Sequence, residues 1–164
     1  MNDNQNLNEQ RLFEHTLESG QSYKVYVPET VNENTPIYTY TMSSYNLSKN
    51  YWDNVINTIV EDGQDSIVIF ETFNNVYIGQ GGWQETSMEA IDQVCDIYGT
   101  NGETVIATGF SHGTSLSIRN TIELIKRNPD VPQVAACIDS FIFSIWNYDN
   151  VYPVRENDCR LSEE

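Results

Sequence analysis

Gly109-Phe110-Ser111-His112-Gly113 sets one serine hydroxyl between two glycines, each two residues away. An alcohol attacks an acyl carbon only when a base takes its proton and when fixed donors hold the oxyanion that forms. The glycines serve that chemistry through space. Where a strand turns at once into a helix, the serine backbone is forced toward a strained conformation and the helix crosses close behind it, so only small residues fit at the flanks. The hydroxyl is then lifted clear of the sheet, and the amide of His112, at a helix N-terminus, is placed to receive the oxyanion. The spacing is that of a nucleophile elbow, G-x-S-x-G.

Three fixed positions in five also arise in flexible loops, so the flanking elements decide the reading. Upstream, "ETVIAT" is a short run of β-branched and small residues of strand length. Downstream, Leu116, Ile118, Ile122 and Ile125 recur at helical spacings until Asn128-Pro129 stops them. Strand, turn and helix are all predicted in the order that an elbow needs.

The rest of the chain must carry that strand. "RLFEHTLES" and "SYKVYVPE" alternate apolar and polar residues around Gly20-Gln21, which predicts an antiparallel hairpin. "TPIYTYTM" is a third strand that begins at a proline, where the missing N–H does little harm. An amphipathic helix is expected from about Tyr51 to Asp62, with Trp52, Val55, Ile56 and Ile59 on one face, followed by a buried strand, "SIVIF". "ETFNNVYIGQGGWQ", residues 71 to 84, is a long loop rich in glycine and aromatic residues, and such loops are commonly functional. Trp83 and Tyr77 either line an acyl or aromatic pocket there or pack down along the loop. A helix from about Ser87 to Tyr98, the elbow strand and helix, and a sixth strand, "QVAACID", complete the order. A hairpin followed by alternating strands and helices specifies a mostly parallel sheet with helices on both faces.

This order, together with the elbow after the fifth strand, resembles the α/β-hydrolase superfamily, in particular its esterases and lipases, over residues 11 to 140. "YKVYVPE" before a proline-led strand is similar to the opening of esterase and polyester-depolymerase members, and "GFSHG" is a common form of their elbow. The resemblance implies a three-layer αβα sandwich, mostly parallel with an N-terminal antiparallel hairpin, and C-terminally truncated after six strands. It also implies Ser111 as nucleophile, with Gly109 and Gly113 forming the elbow. The amide of His112 is then one oxyanion donor, and Met42, Ser43 or Ser44 supplies the second. Asp139, at the end of the sixth strand, stands where some members carry the acid that orients the base; a capping or loop aspartate is the other reading.

Two departures matter. The family's His-Gly pair after the third strand is replaced by "TMSSYN", and no histidine follows Asp139. The chain holds only His15, in the first hairpin strand, and His112. His15 reads as an ordinary strand residue, and His112 as one that shapes the mouth of the site. Three explanations follow: a fragment of a longer hydrolase, a short form completed by a partner, or a degenerate hydrolase. The expected function is hydrolysis of a carboxylic ester or related acyl compound by a serine nucleophile, and whether the chain is an active enzyme stays open. The alternative is a non-catalytic binding or structural module with a degenerate hydrolase fold in a larger assembly.

Composition narrows the partners. With a formal net charge of −16 and eight Lys and Arg among 164 residues, no basic stripe is available to neutralise phosphates, so nucleic acid is not expected. An acidic decoy for a nucleic-acid-binding protein is a weaker reading than a soluble surface kept apart by self-repulsion. Cys95, Cys137 and Cys159 show no metal spacing, so reduced thiols and neither metal nor cofactor are expected. "MNDNQNLNEQ" has no apolar core and no run is long enough to span a membrane, which fits a cytoplasmic protein. We expect a flexible segment at 1–10, one domain at 11–145 and a polar tail at 146–164. The sixth strand, from Val134 toward Trp146, would be left as an apolar edge, which invites a second copy or a completing polypeptide.

Overall fold

The computed structural model describes residues 11–41, 49–73, 82–110 and 113–138. Six strands form one sheet: β1 Leu12–Thr16, β2 Ser22–Tyr26, β3 Ile37–Thr41, β4 Ile67–Phe70, β5 Val105–Phe110 and β6 Val134–Ile138. Three helices connect them: α1 Lys49–Asp62, α2 Trp83–Tyr98 and α3 Gly113–Arg127. In space the strands run β1-β2-β4-β3-β5-β6. β2 pairs antiparallel with β1 and with β4, and every other pair is parallel.

Alternation along the strands assigns the two faces. Val25, Ile37, Ile67, Ile69 and Val105 join Met88, Ile91 and Val94 of α2 and Leu116 and Leu124 of α3 in one buried cluster. Tyr26, Val68 and Phe70 point the other way and pack with Ile56 and Val60 of α1. All four residues of β4 are buried, because this strand is covered on both sides. The chain is therefore a three-layer sandwich with α1 on one face and α2 and α3 on the other, as the strand and helix order predicted.

One element is longer than its sequence suggested. The expected helix from about Ser87 begins four residues earlier, at Trp83. Gly82, in the left-handed region at φ 84°, makes the turn into the helix, and its carbonyl accepts from the Thr86 hydroxyl at 2.6 Å. The face carrying Ser87, Met88, Ile91 and Val94 thereby extends back to Trp83, which is 6% exposed. Among the described residues no helix is long and apolar enough to cross a membrane.

The connections create a topological switch point. From β3 the chain crosses through α1 on one face to β4, whereas from β5 it crosses through α3 on the opposite face to β6. β3 and β5 are neighbours, with Thr41 directly opposite Gly109. The carboxyl edge at such a switch point is where open α/β sheets bind their ligands.

Candidate functional site

Gly109 lies in β5, one residue before its end, and Gly113 is the first residue of α3. A Cβ on Gly109 would lie 2.2 Å from the Gly113 carbonyl oxygen, 2.4 Å from its carbon and 2.6 Å from the Thr114 nitrogen. All three are backbone atoms, so no rotamer change relieves the clash. The helix turns back onto the strand, and the Thr114 hydroxyl donates to the Gly109 carbonyl oxygen at 3.2 Å across the closure. Small buried residues at Thr114, Ser115 and Ser117 keep the first turns of α3 close to the sheet.

Ser111 and His112, the expected nucleophile and oxyanion donor, lie outside the described residues, as do Met42, Ser43, Ser44, Tyr77 and Asp139. Their chain neighbours are placed. Thr41, just before Met42, is the register partner of Gly109, two residues before Ser111, so the two segments leave from adjacent strand ends. Ile138, the last residue of β6, precedes Asp139 and lies opposite Phe110. His15 is in edge strand β1, four strand positions from β5 and thus roughly 19 Å away at the usual strand spacing. Its Nε2 is 2.7 Å from the Tyr98 hydroxyl, and burial lowers its pKa below the ordinary value.

A buried carboxyl that the sequence analysis did not single out lies at this edge of the sheet. Glu71 directly follows β4 and is 1% exposed. Its backbone N–H donates to the Tyr40 carbonyl oxygen at 3.1 Å, extending the β3–β4 pairing by one residue. The side chain accepts from the Thr41 hydroxyl, from the Ser87 hydroxyl and, at 3.1 Å, from the Trp83 indole N–H. Ser87 in turn accepts from the Asn120 side-chain amide at 2.6 Å, and Asn120 is fully buried in α3. Trp83 therefore spends its polar atom inside the protein, with its ring edge-on to Phe73 at 5.3 Å. Glu71 follows the parity of Ile67 and Ile69, and that continuation of a wholly apolar strand is the one signal that could have marked it as buried.

Burial pushes the Glu71 carboxyl above its ordinary value of 4.5, and the bonds from Ser87, Thr41 and Trp83 act against that shift. A groove of about 530 Å³ between α2 and α3 is lined by Met88, Asp92, Ile122, Glu123 and Arg127 among others, but neither the elbow glycines nor the Glu71 cluster contributes to it. Among the described residues no group of three or more His, Cys, Asp or Glu side chains is placed to hold a metal ion.

Two measurements test this geometry. Gly109→Ala should lower unfolding free energy by about 3 kcal/mol, since the methyl meets backbone rather than a side chain that can move aside; a urea midpoint within error of the parent would contradict the closure. Glu71 keeps its proton to higher pH in the folded chain than in the unfolded one. The stability it contributes is therefore complete below the ordinary carboxyl range and is lost as pH rises through the folded value. Glu71→Gln abolishes that slope, so its stability relative to the parent should rise as pH climbs above the ordinary carboxyl range. A difference that stays constant with pH would contradict a raised carboxyl.

No protein-family model matches the chain, and no curated protein matches it in sequence. Solved structures do. An esterase from Rhizomucor miehei matches 79% of this chain and 43% of its own, with TM-score 0.57 and 15% identity. A hyperthermophilic esterase from Pyrobaculum calidifontis matches 76% of this chain and 44% of its own, with TM-score 0.54 and 17% identity. An acetyl xylan esterase from Aspergillus awamori matches 67% of this chain and 46% of its own, with TM-score 0.51 and 16% identity. The chain thus spans less than half the length of the structures it matches. At these identities the likeness concerns architecture, and with the sheet order it establishes that this chain has an α/β-hydrolase-like fold with an N-terminal antiparallel hairpin.

Proposed function

We propose that this chain is a serine-hydrolase domain acting on carboxylic esters or related acyl compounds, with Ser111 as nucleophile. The observation that carries the reading is the closure of β5 onto α3, where a Cβ on Gly109 would sit 2.2 Å from the Gly113 carbonyl oxygen. Such a closure, at the switch point of an open parallel sheet, is what presents a serine at the top of the strand. The amide of His112 and one from Met42 to Ser44 would then receive the oxyanion, since the two segments start from paired residues Thr41 and Gly109. Asp139 follows β6 and is the carboxylate proposed to orient a base.

The base is the missing group. His15 is engaged with Tyr98 on the far edge strand, and the resembled family carries its histidine beyond the eighth strand. Ser111 with an oxyanion site but no histidine retains binding and part of the electrostatic stabilisation, and loses several orders of magnitude in rate. The distance of His15 from the elbow favours a second reading, a binding module that keeps the elbow as a packing device.

A fluorophosphonate probe separates the two. The hydrolase reading expects covalent labelling of the parent at Ser111, accelerated by added imidazole as a diffusible base and abolished in Ser111→Ala; no labelling at high probe concentration, with or without imidazole, would leave only the binding module. Association follows from the same fold. Among the described residues β6 pairs only with β5, and such an edge attracts another strand. We therefore expect self-association or capture of a completing polypeptide through the segment from Val134. Light scattering coupled to size exclusion should report a mass above 18.8 kDa for the chain alone when no partner is supplied, and a monomer whose β6 amides resist exchange would remove that expectation.

A further inference from the structure

We propose that Glu71 is a positioning residue of the sheet's carboxyl edge, a buried carboxyl that ties the end of β3 to α2 and α3 and so sets the spacing between the end of β3 and the start of α3 behind β5. The proposal rests on the hydrolase reading for its catalytic consequence and on the Glu71 contacts for its structural one.

The contacts converge from four elements. Thr41 is the last residue of β3, Glu71 follows β4, Trp83 and Ser87 lie in the first two turns of α2, and Asn120 lies in the middle of α3. One carboxyl oxygen takes the Thr41 hydroxyl and the Trp83 indole N–H, and the other takes the Ser87 hydroxyl, which receives the Asn120 amide. Glu71, Thr41, Ser87 and Asn120 are all essentially inaccessible to water. Asn120 Oδ1 is buried without a partner among the described residues, but the donors named above are paired within the cluster, so moving one of these elements leaves donors of the others unpaired. The tie thus resists relative displacement of β3, α2 and α3 more sharply than apolar packing, which tolerates sliding and repacking.

The position of the tie gives it a role. Thr41 is opposite Gly109, and α3 begins at Gly113. The carboxyl holds the first strand end directly and the helix behind the elbow through Ser87 and Asn120. Oxyanion stabilisation depends on donors from both segments lying about 3 Å from one oxygen, and displacements of about 1 Å are costly. Glu71 itself is buried beneath the strand ends and one strand removed from β5, so it acts through Thr41 and α3 and not on substrate.

The test compares Glu71→Met, which fills the same volume without polar atoms, with Glu71→Gln, whose oxygen and amide can serve Thr41, Trp83 and Ser87. Hydrogen exchange is read at amides 39–41 and 117–121, with the hairpin at 12–26 as reference. We expect Glu71→Met to speed exchange by at least about tenfold in both segments and not in the hairpin, and Glu71→Gln to stay near the parent. Unchanged exchange in Glu71→Met, a uniform rise throughout the chain, or a Gln variant as affected as Met would overturn the tie. If Glu71→Met does not fold, Thr41→Val decides: faster exchange at 39–41 alone supports the tie, and parental exchange overturns it. In a parent that labels at Ser111, the Met variant should slow the maximal labelling rate without a comparable loss of probe affinity, and Gln should restore it; an unchanged maximal rate would overturn the positioning role. A parent that never labels rejects the hydrolase reading alone, because the exchange pattern is read without it.

Discussion

The fold depends on a contact that leaves no room for a single methyl group. Gly109 is the penultimate residue of β5, and the backbone of Gly113 and Thr114 closes over it so tightly that any side chain would overlap main-chain atoms. A strand that ran on by one or two residues before turning would carry α3 away from the sheet and expose Leu116 and Leu124, which are 2% and 3% exposed in the core. The closure, made possible by the glycine at 109, therefore sets where α3 packs, and α3 in turn lies against β3, β5, β6 and α2. Most of the sheet's covered face is arranged around that one turn.

A second constraint acts on the neighbouring strand end. Glu71 continues a wholly buried strand, and an isolated carboxyl there would cost several kcal/mol. It is tolerated because three donors from two other elements meet it, with a fourth residue behind them. The two constraints have different physics: one excludes volume at the elbow, the other satisfies polar groups beside it. Both lie at the carboxyl edge, on either side of the pairing between Thr41 and Gly109. That coincidence is why the hydrolase reading is tied to the geometry of this edge and not to fold likeness alone.

Much of the architecture was legible in the chain. Alternation marked the hairpin, four consecutive apolar residues marked β4, and β-branched and helical spacings marked β5 and α3, because each signal is local and has a fixed period. The start of α2 was not legible: Gly82 and Trp83 sit in a glycine- and aromatic-rich stretch that reads as loop, and only a left-handed glycine with a buried indole behind it makes the helix begin there. The Glu71 cluster was invisible for a different reason. Its partners are 30, 12 and 16 residues away, with Asn120 a further 33 beyond Ser87, and no local period links them. An acid after a strand reads as a solvated loop residue until folding brings the donors to it. Of the candidate site residues, Gly109 and Gly113 are placed, whereas Ser111, His112, Met42, Ser43 and Asp139 lie outside the described residues.

The proposed role of the segment between β5 and α3 as a nucleophile elbow stands or falls on the backbone conformation of Ser111. A serine held at such a turn occupies a region that non-glycine residues rarely adopt. A crystal structure of this chain should find Ser111 with positive φ, near about +60°, and its hydroxyl facing the carboxyl edge between β3 and β5. A Ser111 in ordinary extended or helical geometry, with its hydroxyl turned into the protein, would contradict the claim even if the sheet and its strand order were otherwise as described.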